Sequence, residues 1–327
     1  MCSFAGVVNF KKNLFTYEAY NRLLVRDMVL ALSNNDTKNY GEWVGEHLAF
    51  ALAHQPDDEQ PLKKTVEGHE FVITSFSKLN NFDELKKDLE KFGYTFTSNS
   101  DAEIILYEYI HYGENCCKKL DGIFTFCIWD SMRQQVFVCC DKLGTKPFIY
   151  ANLKDSIVFA TDIESLFRYP ELTPKIDKDG LSEIFAFFPY KTLGISVFSG
   201  VKELKPATYM IIKRSGVFEK QYSNFEKETT KINSDDLKAR INVLKPIIRE
   251  TLDLWEYLKT KSEHPLFLHK FYENPQDEKT YLNDILKDNN SPINVFVDRE
   301  NALSTPKMYN NLIQLNNWFK EFNPIII

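Results

Sequence analysis

The chain has 327 residues, of which 43% are hydrophobic and 14% aromatic, and a formal net charge of -6 at pH 7. That length suggests two domains with ample apolar material for buried cores, and the paired lysines (Lys11-Lys12, Lys63-Lys64, Lys86-Lys87, Lys118-Lys119) are interrupted by acids, so nucleic acid is not an expected partner. No apolar run approaches the ~20 residues of a membrane span, and no basic segment followed by an apolar one opens the chain; the expectation is a cytoplasmic protein with no membrane partner.

The first element follows Met1-Cys2-Ser3-Phe4-Ala5-Gly6. Methionine is normally trimmed before so small a side chain as cysteine. The α-amine this would expose on Cys2 has an unperturbed pKa of about 7.7 to 8.0, so one residue could hold both a nucleophilic thiol and the base that takes its proton. The other reading makes Cys2 a small apolar side chain opening a strand, Ser3 to Phe10, with Phe4, Val7, Val8 and Phe10 facing a core. Glu18 to Leu32 carries Ala19, Leu23, Leu24, Met28 and Ala31 at helical spacing and ends in a polar loop, Ser33 to Tyr40. Short strands are expected at His47 to Ala53 and Phe71 to Ser75, with a loop from Pro56 to Gly68 between them.

A helix is expected from Phe82 to Phe92, with Leu85 and Leu89 inward and Gly93 as its cap. A second, Asp101 to Tyr112, has Ser100 as N-cap and Ile104, Ile105, Tyr109 and Tyr112 on one face. Ile123 to Trp129, Gln135 to Cys140, Pro147 to Asn152 and Ile157 to Thr161 then read as an antiparallel meander. The cysteines at 2, 116, 117, 127, 139 and 140 fit neither a zinc ribbon nor a disulfide framework and read as reduced thiols. No metal site stands out among the histidines, and no cofactor is expected.

Leu120-Asp121-Gly122-Ile123-Phe124-Thr125-Phe126-Cys127-Ile128-Trp129-Asp130 and Asp141-Lys142-Leu143-Gly144-Thr145-Lys146-Pro147-Phe148-Ile149-Tyr150 closely resemble segments of glutamine-dependent asparagine synthetases. Met1-Cys2, Ser100-Asp101-Ala102-Glu103, Phe159 to Leu166 and Phe198 to Pro206 extend the resemblance, in order, over residues 1 to about 225. It implies a class II glutamine amidotransferase: an α+β, four-layer αββα N-terminal nucleophile hydrolase fold with two antiparallel sheets between helical layers. In that family the N-terminal cysteine attacks the glutamine amide, an Asn-Gly pair stabilises the oxyanion, an arginine holds the substrate carboxylate and an aspartate its amino group.

By that resemblance Cys2 matches the catalytic nucleophile, although Ser3 stands where a glycine usually follows, and Asp101 matches the ligand of the substrate's amino group. Asp101 reads equally as a carboxylate on a helix N-terminus. The other roles are not matched. The N-G-E-I-Y-N segment falls on Phe76-Ser77-Lys78-Leu79-Asn80-Asn81, the arginine motif on His54-Gln55-Pro56-Asp57-Asp58-Glu59, and the R-G-P-D loop on Ser33-Asn34-Asn35-Asp36.

The family's ATP-pyrophosphatase domain carries an S-G-G-L-D-S phosphate loop, and no S-G-G occurs in this chain. Ser199-Gly200-Val201-Lys202 and Ser215-Gly216-Val217-Phe218 read as turns flanking strands. A linker is expected at 226-233, then helices over 234-327, beginning with Leu237, Ile241, Leu244, Ile248, Trp255 and Leu258 on one stripe and a kink at Pro246. Ile285 to Ile293 and Asn310 to Asn323 resemble the family's closing helices, so this region reads as a helical remnant left by loss of the nucleotide core. An independent helical appendix is the other account. Two functional expectations remain open. One is a pseudoenzyme or binding module for a full-length synthetase or another protein subunit; the other is a Cys2-dependent amidohydrolase acting on glutamine or a related amide and feeding ammonia to a separate synthetase.

Overall fold

The computed structural model describes residues 3–30, 39–53, 60–187, 192–223, 275–304 and 309–326. The chain divides into two compact units, one comprising Met1–Thr173 and Lys191–Lys227, the other Pro174–Tyr190 and Glu228–Ile327.

The first unit is built on two six-stranded antiparallel sheets. In one, β1 (Ser3–Val8), β2 (Tyr40–Val44), β3 (Leu48–Ala53), β8 (Ile149–Asn152), β9 (Ile157–Ala160) and β11 (Val201–Glu203) run in the order β11-β8-β9-β1-β3-β2. In the other, β4 (Leu62–Val66), β5 (His69–Leu79), β6 (Gly122–Asp130), β7 (Gln135–Cys140), β12 (Thr208–Lys213) and β13 (Gly216–Gln221) run in the order β13-β12-β7-β6-β5-β4. Side chains of alternate strand residues point to opposite faces, and β5 uses both. Val72 joins Phe4, Phe50, Trp129, Phe148 and Phe159 between the sheets, whereas Phe71 and Ile73 meet Leu85, Leu89, Ile104 and Ile105 of α2 (Phe82–Lys91) and α3 (Asp101–Tyr112). On the far side of the first sheet, α1 (Glu18–Leu30) packs against β1, β2, β3 and the short α5 (Ile163–Phe167). This is the expected α+β layering.

Four local expectations need correction. Leu62–Val66, expected within a loop, is edge strand β4; Glu67 and Gly68, with φ of 51° and 81°, make the tight turn that folds it onto β5. Its Lys63-Lys64-Thr65 reads as polar because Lys63 and Thr65 face solvent at the sheet edge, where a charge discourages further pairing, while the inward Lys64 is admitted by its pair with buried Glu103. The strand expected at Phe71 to Ser75 runs on to Leu79, in unbroken register with β6. The expected meander is two hairpins in different sheets: β6-β7 belong to one and β8-β9 to the other, the chain crossing between them at 141–148. On α1 the buried stripe is Asn21, Val25, Met28 and Val29, while Leu23 is exposed. Asn21 is admitted because its amide donates to the Leu14 carbonyl at 2.7 Å.

In the second unit β10 (Lys175–Ile176) pairs in parallel with β14 (Ile325–Ile326), next to α6 (Lys178–Phe187). Helices α7 (Pro275–Lys287), α8 (Arg299–Ser304) and α9 (Tyr309–Phe322) bury Leu282, Ile285, Leu286, Leu312, Leu315 and Phe319, and Phe296 stacks on Phe319 at 5.2 Å. The stripe expected from Leu237 to Leu258 and the kink at Pro246 lie outside the described residues. Among the described residues no helix is long and apolar enough to cross a membrane.

Candidate functional site

Cys2 lies outside the described residues, as do Ser33–Asp36 and His54–Glu59. The structure does place the residue that follows the cysteine. Ser3 is buried, its hydroxyl donating to Asp162 Oδ2 at 2.6 Å and sharing a 2.8 Å hydrogen bond with Thr161 Oγ1. The backbone N–H of Phe4 donates to the same Thr161 hydroxyl at 3.1 Å, and Thr161 N donates back to the Phe4 carbonyl at 2.9 Å. Asp162 serves the clamp and its own helix together, since Oδ1 accepts from Ser165 N at 2.7 Å as the N-cap of α5. The hydroxyl of Ser3, unusual at a position where the resemblance has glycine, is thereby fully engaged.

Asp101 occupies the first position of α3, and its Oδ2 accepts from the backbone N–H of Leu79, the last residue of β5, at 3.0 Å. The N-terminus that carries it is fixed by two further groups. Ser100 caps the helix by accepting from Glu103 N, and Glu103 reaches back to accept from Thr97 N at 3.0 Å and Ser98 N at 2.7 Å. Glu103 is wholly buried and pairs with Lys64 Nζ at 2.5 Å; burial alone would raise its pKa, but Lys64, Thr97 and Ser98 hold it down to about 2. Reading the motif for its aspartate alone passes over Glu103, whose signal is a carboxylate three residues after a cap serine.

Phe76 and Ser77 stand on β5 opposite Thr125 and Phe124, and Phe76 faces a cation, Lys146 Nζ, 5.8 Å from its ring centroid. Ser75, one residue earlier, gives its N–H to Gln60 Oε1 at 2.7 Å. Gly41 of β2 is tied to that contact, because a Cβ there would lie 1.8 Å from the Gln60 carbonyl oxygen. The Asp141 to Pro147 motif is structural: Asp141 is buried and its carboxylate accepts from Leu143 N at 2.8 Å and Thr145 N at 3.2 Å, shaping the crossing from β7 to β8. Burial pushes the Asp141 carboxyl up, against the pull of those backbone donors. Among the described residues no group of His, Cys, Asp or Glu is placed to hold a metal ion.

Two stacked antiparallel sheets between helices, with a central strand that begins one residue after Cys2, define the fold of class II glutamine amidotransferases and of N-terminal nucleophile hydrolases. A sequence profile described as glutamine amidotransferase domain matches residues 1–223, and the chain belongs to that family. Within it the chain is asparagine-synthetase-like. It is 32% identical over 249 residues to asparagine synthetase (glutamine-hydrolyzing) 3 of Bacillus subtilis (strain 168), a match covering 75% of this chain and 40% of that protein. A second relative, asparagine synthetase (glutamine-hydrolyzing) 1 of the same organism, is 29% identical over 223 residues, covering 66% and 34%. The chain thus spans less than half the length of these curated relatives. Among solved structures, the glutamine phosphoribosylpyrophosphate amidotransferase of B. subtilis, complexed with ADP and GMP, superposes with a TM-score of 0.50 at 15% identity over 68% of this chain and 49% of that one.

Proposed function

We propose that this chain is an asparagine-synthetase-like pseudoenzyme that keeps the glutaminase fold as a binding module and does not make asparagine by itself. The observation that carries the reading is Phe76-Ser77, embedded in the continuous β5-β6 ladder at the place where the resemblance puts the oxyanion Asn-Gly pair. A phenylalanine side chain donates no hydrogen bond, and loss of one oxyanion donor costs ~10² to 10³ in rate. The segment aligned with the substrate-binding arginine carries Asp57, Asp58 and Glu59, so a substrate carboxylate would meet like charge. One of the Asp101 carboxylate oxygens is in turn engaged with the Leu79 amide. The partner this reading implies is a full-length synthetase or another ligase subunit, in the cytoplasm.

A second reading keeps Cys2 as an amidohydrolase nucleophile acting on glutamine or a related amide, and the Ser3-Thr161-Asp162 clamp favours it by holding the strand beside Cys2 in place. The two are separated by ammonia release from glutamine, with labelling of Cys2 by a glutamine-like chloroketone followed in parallel. The pseudoenzyme reading expects turnover at least ~10²-fold below an intact amidotransferase, and labelling no faster than by a simple alkylating agent of similar reactivity. Saturable, glutamine-protected labelling, with ammonia release abolished by Cys2→Ala, would establish the hydrolase instead.

A further inference from the structure

A cavity of about 530 Å³ opens in the first unit at the end of the sheets remote from Ser3 and Asp101. It is lined by the turn between β2 and β3 (Trp43, Val44, Gly45, Glu46), by Glu70 near the start of β5 and by Trp129 near the end of β6. Glu70 and Leu79 are nine residues apart on one strand, which places the cavity roughly 30 Å from the Asp101 contact. On β1 the same polarity holds, since Ser3 pairs with Ala53 and Val8 with Leu48.

Its walls are aromatic and built. A Cβ on Gly45 would lie 2.3 Å from Trp43 Cη2, so the glycine lets the indole fold down over its own turn, and Phe50 supports the ring at 5.5 Å. Trp129, only 5% exposed and part of the inter-sheet core, is backed by His47 at 6.2 Å and Phe10 at 6.4 Å and contributes a small part of its ring to the wall, so Trp43 is the main aromatic face. Phe15, 54% exposed, stands at the rim. The cations in the wall are already closed: Arg22 gives Nε to Glu18 Oε1 at 2.8 Å and approaches Glu42 Oε1 at 3.5 Å, and Lys63 is paired with Glu70. The lining therefore holds two carboxylates, Glu46 and Glu70, and two cations, Arg22 and Lys63, with Arg22 paired to Glu18 from outside the lining, which leaves Glu46 as the carboxylate not committed to a cation. Glu42 Oε2 is buried without a hydrogen-bond partner. Glu46, exposed in the turn, accepts from Leu14 N through its backbone carbonyl at 2.8 Å, while its carboxylate forms no ion pair among the described residues.

We infer that this cavity binds a small organic cation, an alkylammonium or quaternary ammonium group seated against Trp43 and Trp129 with Glu46 as its counter-ion. Indole rings attract such cations through their quadrupole, and a weakly hydrated ammonium can leave water for an aromatic wall. A phosphate or carboxylate would have to break the Arg22 and Lys63 pairs and would meet Glu46. A bare metal ion would find a single free carboxylate.

The test uses the full chain, labelled for observation of the indole N–H signals, with Trp43 and Trp129 assigned by Trp→Phe variants. Tetramethylammonium chloride and the neutral near-isostere neopentyl alcohol are titrated at matched ionic strength. The expected result is a saturable, concerted shift of the Trp43 and Trp129 signals with the cation and a weaker response to the alcohol. Glu46→Gln should weaken the cation by ~2- to 5-fold, and Glu46→Lys should remove binding. Because Glu46 is exposed, neither variant threatens the fold. No saturable shift, an equal response to the alcohol, or unchanged affinity in Glu46→Lys overturns the assignment, and the comparison of cation with alcohol in the unaltered protein stands without any variant.

Discussion

Two glutamates five residues apart on α3 are pushed in opposite directions by their surroundings. Glu108 is wholly buried with neither carboxylate oxygen hydrogen-bonded, and its nearest cation, Lys119 Nζ, lies 3.7 Å away. Lys119 is itself held by Asp88 at 2.8 Å and lies 3.6 Å from the centre of the Tyr112 ring, so it offers little of its charge. Burial, opposed by Lys119 and assisted by Asp88, pushes the Glu108 carboxyl up to about 7 from an ordinary 4.5. Below pH 4.5 folded and unfolded chains both hold the proton; between there and 7 only the folded chain does, so stability falls as pH rises through that window and then levels. Glu108→Gln should flatten this slope and leave the protein more stable than the parent at pH 8, by up to roughly 3 kcal/mol. Urea unfolding at pH 5, 6 and 8 checks it, and an unchanged slope in the variant would refute the assignment. Glu103 has the opposite sign, since its depressed pKa of about 2 adds stability above 4.5 that is lost as pH falls toward 2. Removing its charge with Glu103→Gln leaves Lys64 without its buried partner and should cost ~3 kcal/mol at pH 7, read as a lowered urea midpoint with an unchanged m-value. The place of Asp101 at the start of α3 was legible in the sequence because a cap serine and a helical face follow one another locally; its part in holding a substrate amino group is what the family resemblance implies. The Asp162 contact with Ser3 was not legible, because it joins residues 159 positions apart.

At the scale of elements, β1 is the strand on which the first sheet closes, and Gly6 sets how closely its neighbours approach. A Cβ at Gly6 would lie 2.5 Å from Phe159 Cζ and 2.6 Å from the Ala49 carbonyl oxygen, and the latter is backbone that cannot rotate aside. Gly6→Ala should therefore destabilise by ~1 to 3 kcal/mol even though alanine is the better strand residue. Calorimetry against a surface Gly→Ala control measures this, and a melting temperature equal to the parent's would show that the sheet can spread. Local apolar pattern made β3, α2, α3, β6 and β7 readable: the helices through apolar residues at helical spacing, and the three strands as short apolar runs buried on both faces. It failed where burial is one-sided or polar: β4 is an edge whose Lys63 faces out and whose Lys64 faces in toward buried Glu103, and the α1 stripe is set by Asn21, whose burial is made possible by the Leu14 carbonyl.

For the whole molecule, the absent S-G-G loop and the antiparallel pairing of both large sheets lead to the same expectation. With aspartate, ATP, magnesium and ammonia, this chain should release no pyrophosphate above a no-protein control, because a phosphate loop needs glycine N–H groups at a helix N-terminus. Turnover that survives repurification would contradict this. The sequence by itself determined the family and most of the strands and helices, since these reside in short collinear motifs and local periodicity. Only the tertiary structure decided that the β6-β7 and β8-β9 hairpins enter different sheets, because a hairpin carries no local record of which distant strand will cover its edge. The same holds for the charge state of Glu108 and for the Trp43-Trp129 cavity. Each depends on groups far apart in the chain, whose desolvation and mutual distance exist only once the sheets have stacked.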